Sequence, residues 1–302
     1  MKELMGLGTA LITPFKADGS VDYEALTRLL DTQLTGFVDY IVVLGTTGEA
    51  ATLNAEEKKQ VRQFIVQYVN GRLPLVLGVG GNNTAVVCAE LEALKEELVR
   101  DYAAILSVCP YYNKPNQEGL FQHFCAVAKA SAIPIILYNV PGRTGVNLLP
   151  ETVIRIYEAH PDKIVGIKEA SGNIVQIKHL IDLANSYPQR GTIIPKFKIQ
   201  NSKLLVISGD DGIACEVMEA GGAGLISVAS NAFAEDFWHI VHGKDAALQA
   251  KYEHMVKLLF AEGNPVGIKA VLAQKGIIQN YLRLPLVPSS TELNAQIQKE
   301  LA

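Results

Sequence analysis

The sequence has few of the features that mark an exported or membrane-bound protein. Its four cysteines among 302 residues are scattered without a Cys-x-x-Cys pair, which argues against a disulfide framework or a zinc site. No stretch approaches the roughly 20 apolar residues that span a bilayer. The segment from Met1 to Phe15 is interrupted by Glu3 and Pro14, so it is interpreted as a first strand and not as a secretory signal. These patterns predict a cytoplasmic protein with reduced thiols and no membrane partner.

An excess of positive charge is also missing. The net charge is −4 and there is no basic cluster, so the sequence predicts no nucleic-acid partner. The rest is ordinary for a globular enzyme, with 49% apolar and 19% charged residues. A chain of this length can bury a large core.

Short apolar runs alternate with longer amphipathic stretches along most of the chain. Eight runs are predicted as strands, at 7–12, 39–44, 74–79, 103–108, 134–139, 163–168, 204–208 and 224–228. Most are spaced by about thirty residues, as a strand–loop–helix–loop unit requires. Eight such units predict a (β/α)8 TIM barrel, an α/β fold.

The structural rival is a doubly wound open sheet, which often carries a glycine-rich first turn. The nearest match, at 78–81, lacks the third glycine of that turn and is a weak signal. After about residue 244 the pattern becomes purely helical, at 245–261, 265–276 and 291–300. We therefore predict a barrel domain over 1–243 and a helical domain over 244–302. Residues 187–203 form an unusually long connection into the seventh strand.

Lys168 is the most informative residue, because it is a lone cation at the end of the apolar strand 163–168. Side chains alternate along a strand, so the pattern puts Ile164, Gly166 and Lys168 on one face and Val165 with Ile167 on the other. A lysine sheltered at a strand end loses hydration, which favours a neutral amine able to form a Schiff base with a ketone. The alternative is a lysine whose stem lies along the strand and whose head reaches water.

Other polar residues follow the predicted strands where a barrel gathers its chemistry. Tyr138 ends strand five and could exchange protons with an imine. It could also be a core residue whose hydroxyl reaches water. Thr46 and Thr47 lie between glycines and could bind a carboxylate, although such a sequence is more often just a turn. Arg143, in a glycine-flanked loop, suits a second carboxylate, whereas a lone loop arginine is usually solvated.

Several acids and histidines are interpreted as structural. Asp210 and Asp211 lack the neighbours of a metal site and are predicted to cap a helix. His239 and His242 are predicted to be ordinary surface residues. Parity puts Glu169 on the opposite face from Lys168, so we expect a structural role there. No metal is predicted.

Five motifs together carry a family resemblance: GTTGE at 45–49, PYYNKP at 110–115, YNVPGRTG at 138–145, GIKEASGN at 166–173 and SGDD at 208–211. With them the sequence resembles the dihydrodipicolinate synthase and N-acetylneuraminate lyase family of class I, pyruvate-dependent aldolases, over essentially its full length. Thr46-Thr47 and Arg143 favour the synthase branch over the sialic acid lyases.

The resemblance implies a mechanism and an assembly. Lys168 would form an imine with pyruvate, and the derived enamine would attack L-aspartate 4-semialdehyde, a step in the diaminopimelate route to lysine. Tyr138, Thr46 and Tyr112 would relay protons. The carboxylate seats would be Thr47 and the backbone near Ile226 for pyruvate, and Arg143 for the second substrate. No cofactor is implied, and Tyr111 would reach a neighbouring subunit within a homotetramer built from tight dimers.

The same resemblance implies an effector cleft near that subunit contact, where many bacterial members bind L-lysine. The matching positions are Ala50, Ala55, Lys58, Asn82, Val86 and Tyr111. An acidic residue would hold the effector's ammonium, and Val86 cannot do so. We therefore expect weak or absent inhibition by L-lysine.

Three alternatives remain at this point. The chain could be another aldolase of the same family, cleaving a sialic acid or using a different aldehyde. It could be a pyridoxal phosphate enzyme, although Ser227 to Asn231 lacks the glycines of a phosphate cradle. It could also be a scaffold barrel without enzymatic activity.

Overall fold

Eight short strands pair in chain order and close into a parallel barrel in the computed structural model, which describes residues 4–186 and 203–302. The strands are β1 Gly6–Ala10, β2 Tyr40–Val43, β3 Leu75–Gly78, β4 Ala104–Val108, β5 Ile135–Asn139, β6 Ile164–Glu169, β7 Leu205–Ser208 and β8 Gly224–Ser227. Each lies within two residues of its predicted start. Parallel strands buried on both faces have nearly continuous apolar sequences, which is why the runs were visible. The predicted (β/α)8 barrel is confirmed.

Helices surround the strands and continue beyond them. Within the described residues they are α1 Tyr23–Gln33, α2 Ala55–Val69, α3 Thr84–Ala93, α4 Lys95–Asp101, α5 Gln117–Ala130, α6 Pro141–Thr144, α7 Pro150–Ala159, α8 Ile174–Ser186, α9 Ala214–Glu219, α10 Ala234–Gly243, α11 Ala246–Phe260, α12 Val266–Gln274 and α13 Thr291–Leu301. None of these helices is long and apolar enough to cross a membrane.

The start of α2 has the reciprocal cap that its sequence predicts. The Asn54 side chain accepts from the Glu57 N–H at 2.9 Å, and the Glu57 carboxylate accepts from the Asn54 N–H at 2.9 Å. The apolar pattern over 84–98 predicts one helix, but the structure has two, α3 and α4, because the backbone leaves the helical path at Leu94. The short helix α6 was not predicted, since its Pro-Gly-Arg-Thr sequence has no apolar periodicity.

The predicted alternation along β6 is wrong at its beginning. Ile135 of β5 faces Ile164, but the next residue, Ile136, faces Gly166, so Val165 is an extra residue. Such a β-bulge lets two residues oppose one and breaks the period of two. Val165 therefore packs inside the barrel, whereas Ile164 packs outside with the helices. Lys168 keeps its inward position because it follows the bulge.

The segment after the barrel packs back against it. The Gln249 side chain, on α11, accepts from the Cys215 N–H at 2.6 Å, and Arg28 of α1 donates to the Ile277 carbonyl at 3.0 Å. The helices α11, α12 and α13 agree with the predicted helical stretches. The domain boundary at residue 243 stays a prediction. The long connection 187–203 lies almost wholly outside the described residues.

Candidate active site

Strand register brings Tyr138 and Lys168 together. They are directly paired on β5 and β6, one residue before each strand ends. Both side chains are buried, with 6% of Tyr138 and 5% of Lys168 exposed. The Lys168 Nζ atom lies 4.5 Å from the centroid of the Tyr138 ring. An amine and a phenol are thus neighbours in a largely dry place at the carboxyl edge of the barrel.

The GTTGE motif forms a tight turn after β2. Thr46–Gly48 make one turn of 3-10 helix, and the flanking Leu44 and Glu49 have positive φ angles of 55° and 51°. A Cβ atom at Gly78, on the next strand, would lie 2.4 Å from the Leu44 carbonyl oxygen. Glycine at position 78 therefore lets the turn pass close to β3 and fixes where Thr46 and Thr47 stand.

A cavity of about 360 Å³ opens beside this turn. Four predicted site residues line it: Thr46, Tyr111, Tyr138 and Arg143. Lys58 and Glu90 extend its wall on the helical side. The cavity is large enough for a small organic acid.

Three more predicted residues lie next to this cavity without lining it. Lys168 is beside Tyr138, and Ile226, 1% exposed, belongs to the same buried interior cluster as Tyr138. Thr47, 2% exposed, is the residue after the cavity-lining Thr46. Lys168 and Thr47 are thus each adjacent to a residue that lines the cavity, whereas Ile226 shares only the buried cluster with Tyr138.

Two predicted residues point elsewhere in this chain. The Tyr112 side chain is 88% exposed and does not line the cavity, and its backbone has a φ angle of 75°. Asn82 is exposed, and its carbonyl accepts from the Asn113 amide at 3.2 Å. Their predicted roles, in a proton relay and near a subunit contact, stay predictions.

Asn264, which the sequence reasoning missed, touches two of the predicted substrate residues. Its Nδ2 donates to Thr47 Oγ1 at 2.9 Å, and its backbone carbonyl accepts from Arg143 Nη2 at 3.2 Å. It precedes α12, in the segment after the barrel, and is 7% exposed. The only local signal was an Asn-Pro pair after a glycine, which indicates a turn.

A buried ion pair fixes the far end of the GTTGE turn. The Lys269 ammonium pairs with the Glu49 carboxylate, and the two side chains are 0% and 1% exposed. Lys269 also donates to the Tyr281 carbonyl at 3.0 Å, and Glu49 accepts from the Arg283 N–H at 3.2 Å. Burial lowers the pKa of Lys269 to about 8. A lone lysine within the apolar sequence of α12 was the available signal for a buried partner.

Glu169 is held in a separate buried network, consistent with a structural role. Its carboxylate accepts from Asn139 Nδ2 at 3.0 Å, from Gln176 Nε2 at 3.0 Å and from the Ser171 N–H at 2.8 Å. Asn147 joins the same network through Asn139 and Gln176. These bonds connect the ends of β5 and β6 to α8, so they stabilise the strands that carry the amine and the phenol.

The prediction that Asp210 and Asp211 both cap a helix is correct only for Asp210, which accepts from the Gly212 N–H at 2.8 Å. Asp211 is 1% exposed and binds the Ser227 hydroxyl and the Val228 N–H at the end of β8. Burial raises its pKa to about 6. Among residues 4–186 and 203–302, no three His, Cys, Asp or Glu side chains are grouped as a metal site would need.

Comparisons with known proteins agree over the whole chain. The model of the dihydrodipicolinate synthetase family matches residues 3–302. The 4-hydroxy-tetrahydrodipicolinate synthase of Parabacteroides distasonis is 46% identical over 99% of this chain and 96% of its own. The crystal structure of the Thermotoga maritima dihydrodipicolinate synthase superposes with a TM-score of 0.88 at 37% identity, covering 98% of this chain and 97% of that one. The chloride-inhibited Acinetobacter baumannii enzyme, complexed with pyruvate, gives 0.88 at 37%, covering 99% and 98%.

Proposed function

Because this chain belongs to the dihydrodipicolinate synthetase family, we propose that it is a 4-hydroxy-tetrahydrodipicolinate synthase that joins pyruvate to L-aspartate 4-semialdehyde through an imine on Lys168. The observation that carries the proposal is the register pair of Tyr138 and Lys168 beside the cavity. We place the reaction in the cytoplasm, on the diaminopimelate route to lysine.

The Lys168 nitrogen attacks the ketone carbon of pyruvate, and loss of water leaves an imine. A proton then leaves the pyruvate methyl group, and the electron pair moves toward the imine nitrogen to give an enamine. The enamine carbon attacks the aldehyde of the second substrate. The amino group of that substrate attacks the imine carbon, which closes the ring and releases the lysine. Tyr138, whose ring lies 4.5 Å from the amine, carries protons to and from the reacting oxygens.

Two carboxylates need seats near that amine. The Thr47 hydroxyl and the backbone at Ile226 bind the carboxylate of pyruvate. The Arg143 guanidinium, on the cavity wall, binds the carboxylate of the second substrate. A scaffold barrel without enzymatic activity would not need two carboxylate-binding groups around an amine.

The proton relay includes Thr46 and Tyr112, and we propose that an oligomer completes it. Tyr111 and Tyr112 are adjacent and are 43% and 88% exposed, so they present a contiguous aromatic surface that a partner can cover. The two tyrosines meet a neighbouring subunit, and the assembly is a homotetramer of two tight dimers. Sedimentation velocity of the intact protein tests the assembly, since a monomer at assay concentrations would contradict it.

The cleft beside the cavity is poorly suited to L-lysine. Val86 is 60% exposed where an acid would be needed, and Lys58 contributes a positive charge to the cavity wall. A lysine ammonium finds no carboxylate at position 86. On the cavity wall Lys58 and Arg62 repel it, whereas Glu90 attracts it. We propose that the enzyme responds weakly to L-lysine.

Borohydride reduction in the presence of pyruvate, followed by peptide mass mapping, tests the chemistry. A reduced adduct on the peptide that contains Lys168 supports the proposal. The Lys168→Arg variant keeps the charge and should lose the adduct. Lys163→Met, immediately before the same strand, is the matched control and should keep it. An unmodified Lys168, or an adduct on another lysine, refutes the proposal.

Turnover then distinguishes the branches of the family. Condensation with L-aspartate 4-semialdehyde supports the synthase. Cleavage of a sialic acid without that condensation would instead assign the chain to the lyase branch. A requirement for added pyridoxal phosphate would instead indicate a pyridoxal phosphate enzyme in which Lys168 binds the cofactor.

A further inference from the structure

Asn264 connects the two proposed carboxylate seats through different atoms. The side-chain Nδ2 donates to Thr47 Oγ1 at 2.9 Å, whereas the backbone carbonyl accepts from Arg143 Nη2 at 3.2 Å. Among the described residues the buried Oδ1 atom has no hydrogen-bond partner, so the hydrogen bond of this side chain there is the one to Thr47. The side chain and the backbone of one residue can therefore be tested separately.

The contact with Asn264 decides what the Thr47 hydroxyl can do. A threonine hydroxyl has one hydrogen to donate and two lone pairs that accept. The Asn264 amide occupies one lone pair, and among the described residues no acceptor takes the hydroxyl hydrogen. The hydroxyl is left as a donor, which is the role a substrate carboxylate requires.

We infer that Asn264 is a positioning residue that sets the Thr47 hydroxyl as a donor to the pyruvate carboxylate, while its carbonyl orients Arg143 for the second substrate. This inference rests on the proposed function. It assigns to the segment after the barrel a direct part in substrate affinity. The side chain acts on the first substrate and the backbone acts on the second.

The test measures the two substrates separately. Pyruvate affinity is read as the pyruvate concentration that half-saturates borohydride trapping of Lys168, without the second substrate. In Asn264→Ala this concentration should rise about three- to tenfold, the loss of about one net hydrogen bond. The KM for L-aspartate 4-semialdehyde should change less than about twofold, since the backbone carbonyl remains. A merely structural loop defect would raise both values together and would overturn the inference.

An isosteric variant tests the direction of the hydrogen bond. In Asn264→Asp the new carboxylate accepts the Thr47 hydrogen and repels the carboxylate of pyruvate. The half-saturating concentration should therefore rise further than in Asn264→Ala. Equal or tighter pyruvate binding in a folded Asn264→Asp variant would overturn the inference.

Two controls complete the design. In a Thr47→Val background, Asn264→Ala should add less than a twofold change, because the hydroxyl that it orients is gone. Asn280→Ala removes another amide from the same segment, one whose side chain donates to Ser289 at 3.5 Å, and should leave pyruvate affinity unchanged. If the wild-type protein traps no pyruvate, the proposed function fails. If it traps pyruvate and Asn264→Ala behaves as wild type, only the inference fails.

Discussion

Lys269→Met removes the positive charge that faces Glu49 in the interior. The two side chains are 0% and 1% exposed, so the remaining carboxylate cannot reach water. Removing one partner of a buried pair costs about 3–5 kcal/mol in free energy of unfolding. We expect the lower end, about 3 kcal/mol, because the Arg283 N–H still donates to Glu49 at 3.2 Å.

Urea unfolding at fixed protein concentration measures this loss as a fall in the transition midpoint. Lys257→Met is the matched control, because it forms a solvent-exposed pair with Glu253 whose loss should leave the transition midpoint nearly unchanged. Replacing both buried partners, Glu49→Leu with Lys269→Met, should recover most of the stability, since no unpaired charge remains. A Lys269→Met loss below about 1 kcal/mol, or a double variant weaker than the single one, would refute the reasoning.

Three further outcomes are expected. Gly209→Ala puts a Cβ atom 2.8 Å from Lys168 Cε, so it should reduce pyruvate trapping at least tenfold. Gly243→Ala has open space around the new Cβ atom and should not reduce it. Equal trapping by the two variants would contradict this. The Arg283 hydrogen bonds hold the pKa of Glu57 near 2, below its usual 4.5. The stability difference between wild type and Glu57→Gln should therefore be full above pH 4.5 and shrink as pH falls toward 2. A stability difference that does not depend on pH in acid unfolding would be evidence against this. Millimolar L-lysine should change the condensation rate less than twofold, and strong inhibition at sub-millimolar effector would reverse the assignment of the cleft.

Much of the barrel was predictable because a strand that is buried on both faces has a nearly continuous apolar sequence. All eight strands were visible as apolar runs, and the five motifs identified a family that the full-length match confirms. The bulge at Val165 was not predictable, since a period of two gives no sign of an extra residue. The break at Leu94 was also hidden, because α3 and α4 share one apolar pattern.

Some residues of the candidate site were also predictable from the sequence, and others were not. Lys168 and Tyr138 were predictable, since each ends a strand and neighbouring parallel strands end at one edge. Asn264 and Lys269 were not, because their partners Thr47 and Glu49 lie more than two hundred positions earlier. Periodicity reports on neighbours a few residues apart and carries no information about such contacts.

The contacts made by Asn264, Lys269 and Arg283 have a consequence for how the protein becomes active during synthesis. All three follow the eighth strand in the chain, and each one contacts the turn after the second strand. A nascent chain with all eight strands already paired would still lack the contacts that order the turn carrying Thr47. A complete site for the first substrate therefore requires the segment after β8 as well as the paired strands.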